Sequence, residues 1–229
     1  MQISEALAKP CVIDTSLLSN FLYSGNALIL SQLLNTRMNI TPVVLDPAEI
    51  SALDLPNSKP TSEVLRPLFS DPEKRERYAP VQVHILNFAR AVDDLWAGIV
   101  LTDTEVILAS SFRERSIWNS CITTKRKRGL GPGEAEVLAV AITRDWTALI
   151  DDQAAVELLK CLSPDTVILR TCGLLVHAVE KNLLNCAAAE DLFNVQICGA
   201  LMFNSRNSTT GQHIRLRCNP TRCAWESSV

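Results

Sequence analysis

Carboxylates follow two short apolar runs that lie far apart in this chain. Asp14 comes directly after Cys11–Ile13, and the pair Asp151 and Asp152 comes directly after residues 148–150. The carboxyl ends of parallel strands line the binding crevice of an open α/β sheet, so acids from distant parts of a chain can meet there. Carboxylates held together repel one another, and a hard divalent cation with oxygen ligands relieves that repulsion. The pattern therefore predicts a metal-dependent site that handles phosphate.

A glycine-rich turn carries two further acids just before the second run. Gly131 and Gly133 lead into Glu134 and Glu136, and apolar residues then recur at helical spacing to about Arg144. Acids in the first turn of a helix are favoured by the helix dipole, so each glutamate alone has a structural explanation. Taken with the acids after the strands, they complete a candidate set for Mg²⁺ or Mn²⁺. Such an ion would bind a phosphate and lower the pKa of an attacking water.

A third source of acids follows a predicted strand over residues 40–45. Asp46 and Glu49 come directly after it, and either one could join the site. The hydroxyl residues Thr15 and Ser16, which follow the first acid of the chain, are types that cap helices. They could also orient a ligand or the attacking water.

The charge of the chain is spread unevenly. Its 229 residues carry a net charge of −3 and are 47% apolar, which predicts a folded core and argues against a uniformly cationic nucleic-acid binder. A basic run nevertheless stands just before the glycine-rich turn, and it consists of Lys125, Arg126, Lys127 and Arg128. Cations at that position would flank the predicted metal site and attract a polyanion.

Eight cysteines are scattered through the chain without the regular spacing of a disulfide framework. We expect free thiols in a reducing cytosol, because residues 1–5 carry no export signal and no apolar run nears the roughly 20 residues of a membrane span. The expected location is cytoplasmic, with no membrane partner. His213, Cys218 and Cys223 are zinc-ligand types, but they lack paired C-x-x-C spacing, and we predict no zinc site.

Strand and helix patterns alternate along most of the chain, and this order predicts an α/β protein with a parallel sheet. The predicted strands cover residues 11–13, 40–45, 98–101, 147–150 and 166–169. The predicted helices cover residues 17–22, 27–34, 73–96, 103–112, 134–144, 154–162, 173–181 and 187–202. No fold is predicted for the polar segment 204–229.

Four motifs occur in an order and spacing that resembles the PIN-domain family of compact ribonucleases. They are Val12-Ile13-Asp14-Thr15-Ser16 with Leu18, Ser19 and Phe21, then Gly133-Glu134-Ala135-Glu136-Val137-Leu138-Ala139-Val140-Ala141, then Leu149-Ile150-Asp151-Asp152-Gln153-Ala154-Ala155, and then Arg170-Thr171-Cys172-Gly173-Leu174-Leu175. The resemblance implies a three-layer PIN-like α/β fold with a central parallel sheet over residues 1–185. Residues 55–98 exceed what the family core needs and form a predicted helical insertion. Residues 186–229 find no counterpart and form a C-terminal extension of unknown role.

The same resemblance implies roles for the acids. Asp14 would be the first metal ligand, Glu134 the third acid and Asp152 the fourth, with Asp151 beside it as a further ligand. For the second acid we favour Glu49. The other candidates for the site, which are polar residues close to these acids or within the matched motifs, are Thr15, Ser16, Asp46, Glu136 and Thr171.

An activity and partners also follow from the resemblance. Members of the family are Mg²⁺- or Mn²⁺-dependent endoribonucleases, and many are toxins of bacterial and archaeal toxin-antitoxin pairs. This chain would accordingly hydrolyse RNA phosphodiester bonds, pair with a small antitoxin protein and form a homodimer. The alternative is a PIN-like scaffold that binds RNA or protein without cleaving it.

Other chemistries fit the residues less well. A phosphatase with aspartates at strand ends would need a second aspartate where this chain has Ser16. A receiver domain would need a phosphoacceptor aspartate on a middle strand and a lysine late in the sheet, and we find no such pair. His84, His177 and His213 do not neighbour a serine or cysteine in a nucleophile motif, so no catalytic triad is predicted.

Overall fold

The computed structural model describes residues 3–34, 37–44, 76, 79, 96–121 and 130–197, and the backbone of 214–219 and 222–227. Some predicted features therefore lie outside the described residues. They are Asp46, Glu49, the basic run 125–128, His213, and the helix predicted over 73–96 with the preceding part of the insertion, apart from residues 76, 79 and 96.

Five of the described strands form one sheet in which every neighbouring pair is parallel. They are β1 (Cys11–Ile13), β2 (Met38–Ile40), β3 (Trp96–Gly98), β4 (Thr147–Leu149) and β5 (Ile168–Leu169). Their spatial order is β3-β2-β1-β4-β5, which puts β1 at the centre. All residues of β1 and β4 are buried, as expected for parallel strands that are covered on both faces. The predicted α/β class with a parallel sheet is confirmed.

Helices connect these strands, and four of those described begin at a side-chain cap. The described α-helices are α1 (Ile3–Ala6), α2 (Thr15–Tyr23), α3 (Ala27–Leu33), α4 (Asp103–Phe112), α5 (Arg115–Cys121), α6 (Pro132–Arg144), α7 (Gln153–Leu162), α8 (Thr171–Glu180) and α9 (Cys186–Asp191). For example, the N-cap of α4 is Thr102, which forms a capping box with Glu105. Among the described residues, no helix has the length and apolar character that crossing a bilayer requires.

Two hydrophobic clusters lie on opposite faces of the sheet. Successive side chains of a strand point to opposite faces, and accordingly Ile13 belongs to one cluster and Val12 to the other. The first cluster contains apolar residues of α2, α3 and α8, and the second contains those of α4, α6 and α7. The sheet is therefore covered by helices on both faces, and only its edges are open for a site.

The second strand lies earlier than predicted. The sequence predicts a strand over residues 40–45, but β2 ends at Ile40 and a turn follows, in which the Val44 N–H donates to the Thr41 carbonyl at 3.1 Å. Pro42 explains the early end, because proline has no N–H to donate to a neighbouring strand.

The third strand and the last predicted helix also differ from expectation. β3 begins at Trp96 rather than at residue 98, because the large Trp96 side chain is buried whereas Val100 is 86% exposed. This strand of the sheet therefore starts inside the segment predicted as an insertion. The helix predicted from residue 187 begins at Cys186 and changes at Leu192 into a π-helix, Leu192–Ile197. Beyond it, β6 (Ile214–Asn219) and β7 (Arg222–Ser227) pair antiparallel as a separate hairpin.

The prediction of free thiols is wrong for three cysteines. Cys121 at the end of α5 and Cys161 near the end of α7 form a disulfide, with 5.6 Å between their Cα atoms, and Cys186 is also disulfide-bonded. Such pairing depends on the packing of α5 against α7, which cysteine spacing does not reveal. Cys11 and Cys172 are free thiols, and burial raises the pKa of each to about 12.

Candidate functional site

The ends of β1 and β4 define the place where this fold can hold a ligand. The chain runs from β1 outward through β2 and β3, then returns to place β4 on the other side of β1. In open α/β sheets, the crevice at such a reversal of strand order is the usual binding position, outside the carboxyl ends of the strands. We call this end of the sheet the carboxyl edge.

Asp14 and Asp151 leave the sheet side by side at the carboxyl edge. Ile13 pairs with Leu149, and the Asp14 N–H donates to the Leu149 carbonyl at 2.9 Å, so β1 and β4 stay paired up to the acids. Paired strands lie about 4.8 Å apart, which sets the spacing of the two chains where they leave the sheet. The strand pairing therefore places the backbones of both acids at this end of the sheet, and a shared metal site for their carboxylates stays a prediction.

Asp14 is a buried carboxylate that caps α2. Its Oδ2 accepts a hydrogen bond from the Ser16 N–H at 3.0 Å and another from the Ser16 hydroxyl. The residue is only 1% exposed, while Thr15 and Ser16 are half-buried. The cap fixes the direction of the carboxylate, and the N-terminus of α2 favours its negative charge.

Glu134 and Glu136 reach the same edge from the start of α6. This helix ends just before β4 begins, so it runs antiparallel to the strands and its first turn lies at the carboxyl edge. The Glu136 carboxylate accepts a hydrogen bond from the Val43 N–H at 3.3 Å, and Val43 lies just beyond the end of β2. The Glu134 carboxylate folds back over Gly131, since a methyl group at position 131 would overlap Glu134 Oε2. Gly131 thus provides the room in which this carboxylate lies.

Asp151 and Asp152 play different roles, although they are neighbours in sequence. Asp152 is half-buried and caps α7, because its Oδ1 accepts a hydrogen bond from the Ala155 N–H at 2.9 Å. Asp151 is buried and turns towards α2 and α8. Its Oδ1 accepts from the Thr171 N–H at 3.0 Å, and its Oδ2 accepts from the Thr171 hydroxyl and from Asn20 Nδ2 at 2.9 Å.

Burial raises the pKa of the Asp151 carboxyl group above its ordinary value. The hydrogen bonds from Thr171, the charge of Arg170 and the hydrogen bond from Asn20 act in the opposite direction, because they favour the carboxylate. Arg170 Nε lies 3.9 Å from Asp151 Oδ1, and its Nη2 donates to the Asp151 carbonyl at 2.8 Å. A buried acid with a perturbed pKa in a crevice is typical of functional sites.

Two residues of this edge were not predicted from the sequence. Asn20 reaches Asp151 from α2, and Arg170 reaches it from the end of β5. A usable signal existed for both. Asn20 is a polar residue within the largely apolar stretch Leu17–Leu22, and Arg170 directly follows a strand, as Asp14 does.

The acidic side chains described at the carboxyl edge are of the type that divalent cations bind, but they do not form a complete ligand set. All donors are hard oxygens, and the room at Gly131 admits the Glu134 carboxylate at the edge where Asp14 and Asp151 emerge. Within the described residues, however, no three His, Cys, Asp or Glu side chains are grouped so as to hold a metal ion, and this includes Asp14, Glu134 and Asp152. Mg²⁺ bound to phosphate commonly uses one or two protein carboxylates and completes its shell with waters and phosphate oxygens.

Comparisons of this chain with protein-family profiles, with curated protein sequences and with solved structures give no match. We therefore infer function from the residues at the carboxyl edge and from the sequence motifs that supply them.

Proposed function

We propose that this protein is a metal-dependent endoribonuclease with a PIN-like catalytic domain over residues 1–185. One observation carries the proposal: Asp14 and Asp151 end adjacent strands where the strand order reverses, and the first turn of α6 adds Glu134 at the same edge. Bound Mg²⁺ or Mn²⁺ would supply charge neutralisation at the scissile phosphate and a more acidic water.

In this proposal, residues of the chain orient the metal-binding carboxylates and supply the negative charge. Ser16 holds the Asp14 carboxylate, Gly131 leaves room for that of Glu134, and Asp151 is held by its hydrogen bonds. Asp152 caps α7 and directly follows Asp151 in the sequence. The second acid would be Glu49, with Asp46 as the alternative, and both follow β2, the strand next to β1.

RNA binding in this proposal depends on the basic run 125–128. It lies in the chain between the end of α5 at Cys121 and the start of α6, and thus a few residues before Glu134. Because the whole chain carries a net charge of −3, attraction of an RNA backbone has to come from such a local cluster.

A biological role as a toxin follows from the resemblance of the motifs alone. With that role we propose a small antitoxin partner, a homodimer and a cytoplasmic location. Residues 186–229 would form a C-terminal extension of the catalytic domain. A reducing cytosol would reduce the Cys121–Cys161 disulfide. The fraction of this disulfide that is oxidised in cells therefore tests the cytoplasmic location.

The test is cleavage of a mixed RNA pool by the full chain while Mn²⁺ is titrated. We expect Mn²⁺-dependent cleavage by the wild type and a loss of at least 100-fold in Asp14→Asn, because the substitution removes a negative oxygen ligand. Asp145→Asn is the matched control. Asp145 lies at the opposite end of the sheet, where its carboxylate pairs with Lys9 Nζ at 2.7 Å, and it has a left-handed backbone that asparagine accepts.

The competing function is a PIN-like scaffold that binds RNA or protein without catalysis. The scaffold function is favoured because the acids have structural roles. Asp14 and Asp152 cap helices, and Asp151 belongs to a buried hydrogen-bond network. RNA binding that needs no metal and brings no cleavage in the wild type would establish the scaffold and overturn the nuclease.

A further inference from the structure

Asp151 is held in place by side chains from two other elements of the fold. Asn20 Nδ2 on α2 donates to Asp151 Oδ2 at 2.9 Å and to Thr171 Oγ1 at 3.1 Å. Thr171, the first residue of α8, donates its N–H and its hydroxyl to the two oxygens of the same carboxylate. Asn20, Asp151 and Thr171 are 1%, 8% and 0% exposed, so the network is buried and only Asp151 keeps an appreciable exposed fraction.

The network determines which way the Asn20 amide faces. If the amide were rotated, its oxygen would face an Asp151 carboxylate oxygen, and two acceptors would oppose each other. With Nδ2 towards Asp151, Asn20 Oδ1 is buried and has no hydrogen-bond partner among the described residues. Leaving a buried acceptor unsatisfied is unfavourable, so Asn20 donates to Asp151 in spite of that penalty.

We propose that Asn20 and Thr171 are positioning residues that hold the Asp151 carboxylate in one orientation for a divalent cation at the carboxyl edge. This inference rests on the proposed nuclease function. Neither residue is assigned contact with RNA, and both act through Asp151. Partners that fix a ligand's orientation in advance typically contribute 10- to 100-fold to metal affinity.

The experiment measures Mn²⁺ binding without RNA, by the electron paramagnetic resonance signal of free Mn²⁺, using the full chain. We expect Asn20→Ala and Thr171→Val each to weaken Mn²⁺ binding about 10- to 100-fold. Thr171→Val keeps the side-chain volume and the backbone N–H, so it removes only the hydroxyl and provides a folded variant if Asn20→Ala does not fold. Thr171→Ser restores the hydroxyl and should restore the affinity.

Ser19→Ala is the matched control, because Ser19 neighbours Asn20, is 1% exposed and has no hydrogen-bond partner for its hydroxyl among the described residues. We expect its Mn²⁺ affinity to equal that of the wild type. In RNA cleavage, excess Mn²⁺ should bring Thr171→Val back towards the wild-type rate, which a general loss of structure would not allow.

The outcomes separate the inference from the function on which it rests. Wild-type affinity in both Asn20→Ala and Thr171→Val, together with Mn²⁺-dependent cleavage by the wild type, would overturn the positioning role and leave the nuclease intact. A wild type that neither binds Mn²⁺ nor cleaves RNA would overturn both. Weakened binding in the two variants, with recovery in Thr171→Ser, would support the inference.

Discussion

Gly131 is the residue whose small size most directly affects the candidate site. A methyl group there would overlap Glu134 Oε2, which is the far end of a flexible side chain and can move away. We expect Gly131→Ala to leave the melting temperature nearly unchanged while cleavage falls roughly 10- to 100-fold, because displacement of a site group by about 1 Å has effects of that size. Cleavage rates and thermal melts of the same preparations check this.

The control for Gly131→Ala is Gly173→Ala. A Cβ at position 173 would lie 3.9 Å from Ile3 Cδ1, an ordinary van der Waals distance, so this variant should keep wild-type cleavage. Equal cleavage by Gly131→Ala and the wild type would show that the position of the Glu134 carboxylate does not matter for activity.

Among the elements of the fold, α4 and α6 are tied by an ion pair between the buried Glu105 carboxylate and the half-buried Arg144 guanidinium. Arg144 Nε and Nη2 donate to the two carboxylate oxygens of Glu105 at 2.6 and 2.7 Å, and Thr143 also donates to Glu105 at 2.8 Å. These donors and Thr102 more than offset the effect of burial, and Arg144 has the largest share in lowering the pKa of Glu105 to about 2. The Arg144 guanidinium also lies 5.0 Å from the ring centre of Trp146.

The lowered pKa of Glu105 predicts how stability depends on pH. Since the folded pKa is about 2 and the ordinary value is 4.5, the stabilisation is complete above about pH 4.5 and is lost as the pH falls towards 2. We expect Glu105→Gln to reduce the free energy of unfolding by about 1–3 kcal/mol at pH 7 and to flatten its decline below pH 4.5. Urea unfolding between pH 7 and 2 measures both, and parallel curves for the two proteins would contradict the assignment.

The disulfide between α5 and α7 gives a second prediction about contacts between elements. Its cysteines are 40 residues apart, and closing a loop of that length stabilises a fold by about 2–4 kcal/mol. The double variant Cys121→Ser with Cys161→Ser should unfold at lower urea by a corresponding amount. Because Cys186 is also disulfide-bonded, dithiothreitol alone does not isolate this bond, and the double variant without reductant is the decisive sample. An unchanged midpoint would contradict a stabilising role.

For the whole molecule, which carries a net charge of −3, the proposed RNA binding would depend on the basic run. Replacing Lys125, Arg126, Lys127 and Arg128 with alanine would remove up to four phosphate contacts. The slope of log affinity against log salt concentration should then become shallower by about 3 for single-stranded RNA. Binding titrations at several salt concentrations test this, with Arg113→Ala as a single-charge control on an exposed surface. An unchanged slope would show that RNA binds elsewhere.

Apolar runs, capping residues and glycine-rich turns are local signals, and they are enough to predict the alternation of strands and helices and the acids that follow the strands. The predicted position of β2 is wrong, because residues 43–45 are apolar like a strand but Pro42 lacks the N–H that would continue the pairing. Long-range packing places β4 beside β1, brings Asn20 to Asp151 across 131 residues of sequence, and pairs Cys121 with Cys161. These contacts depend on how helices pack on both faces of the sheet, and no short segment of the chain encodes that packing.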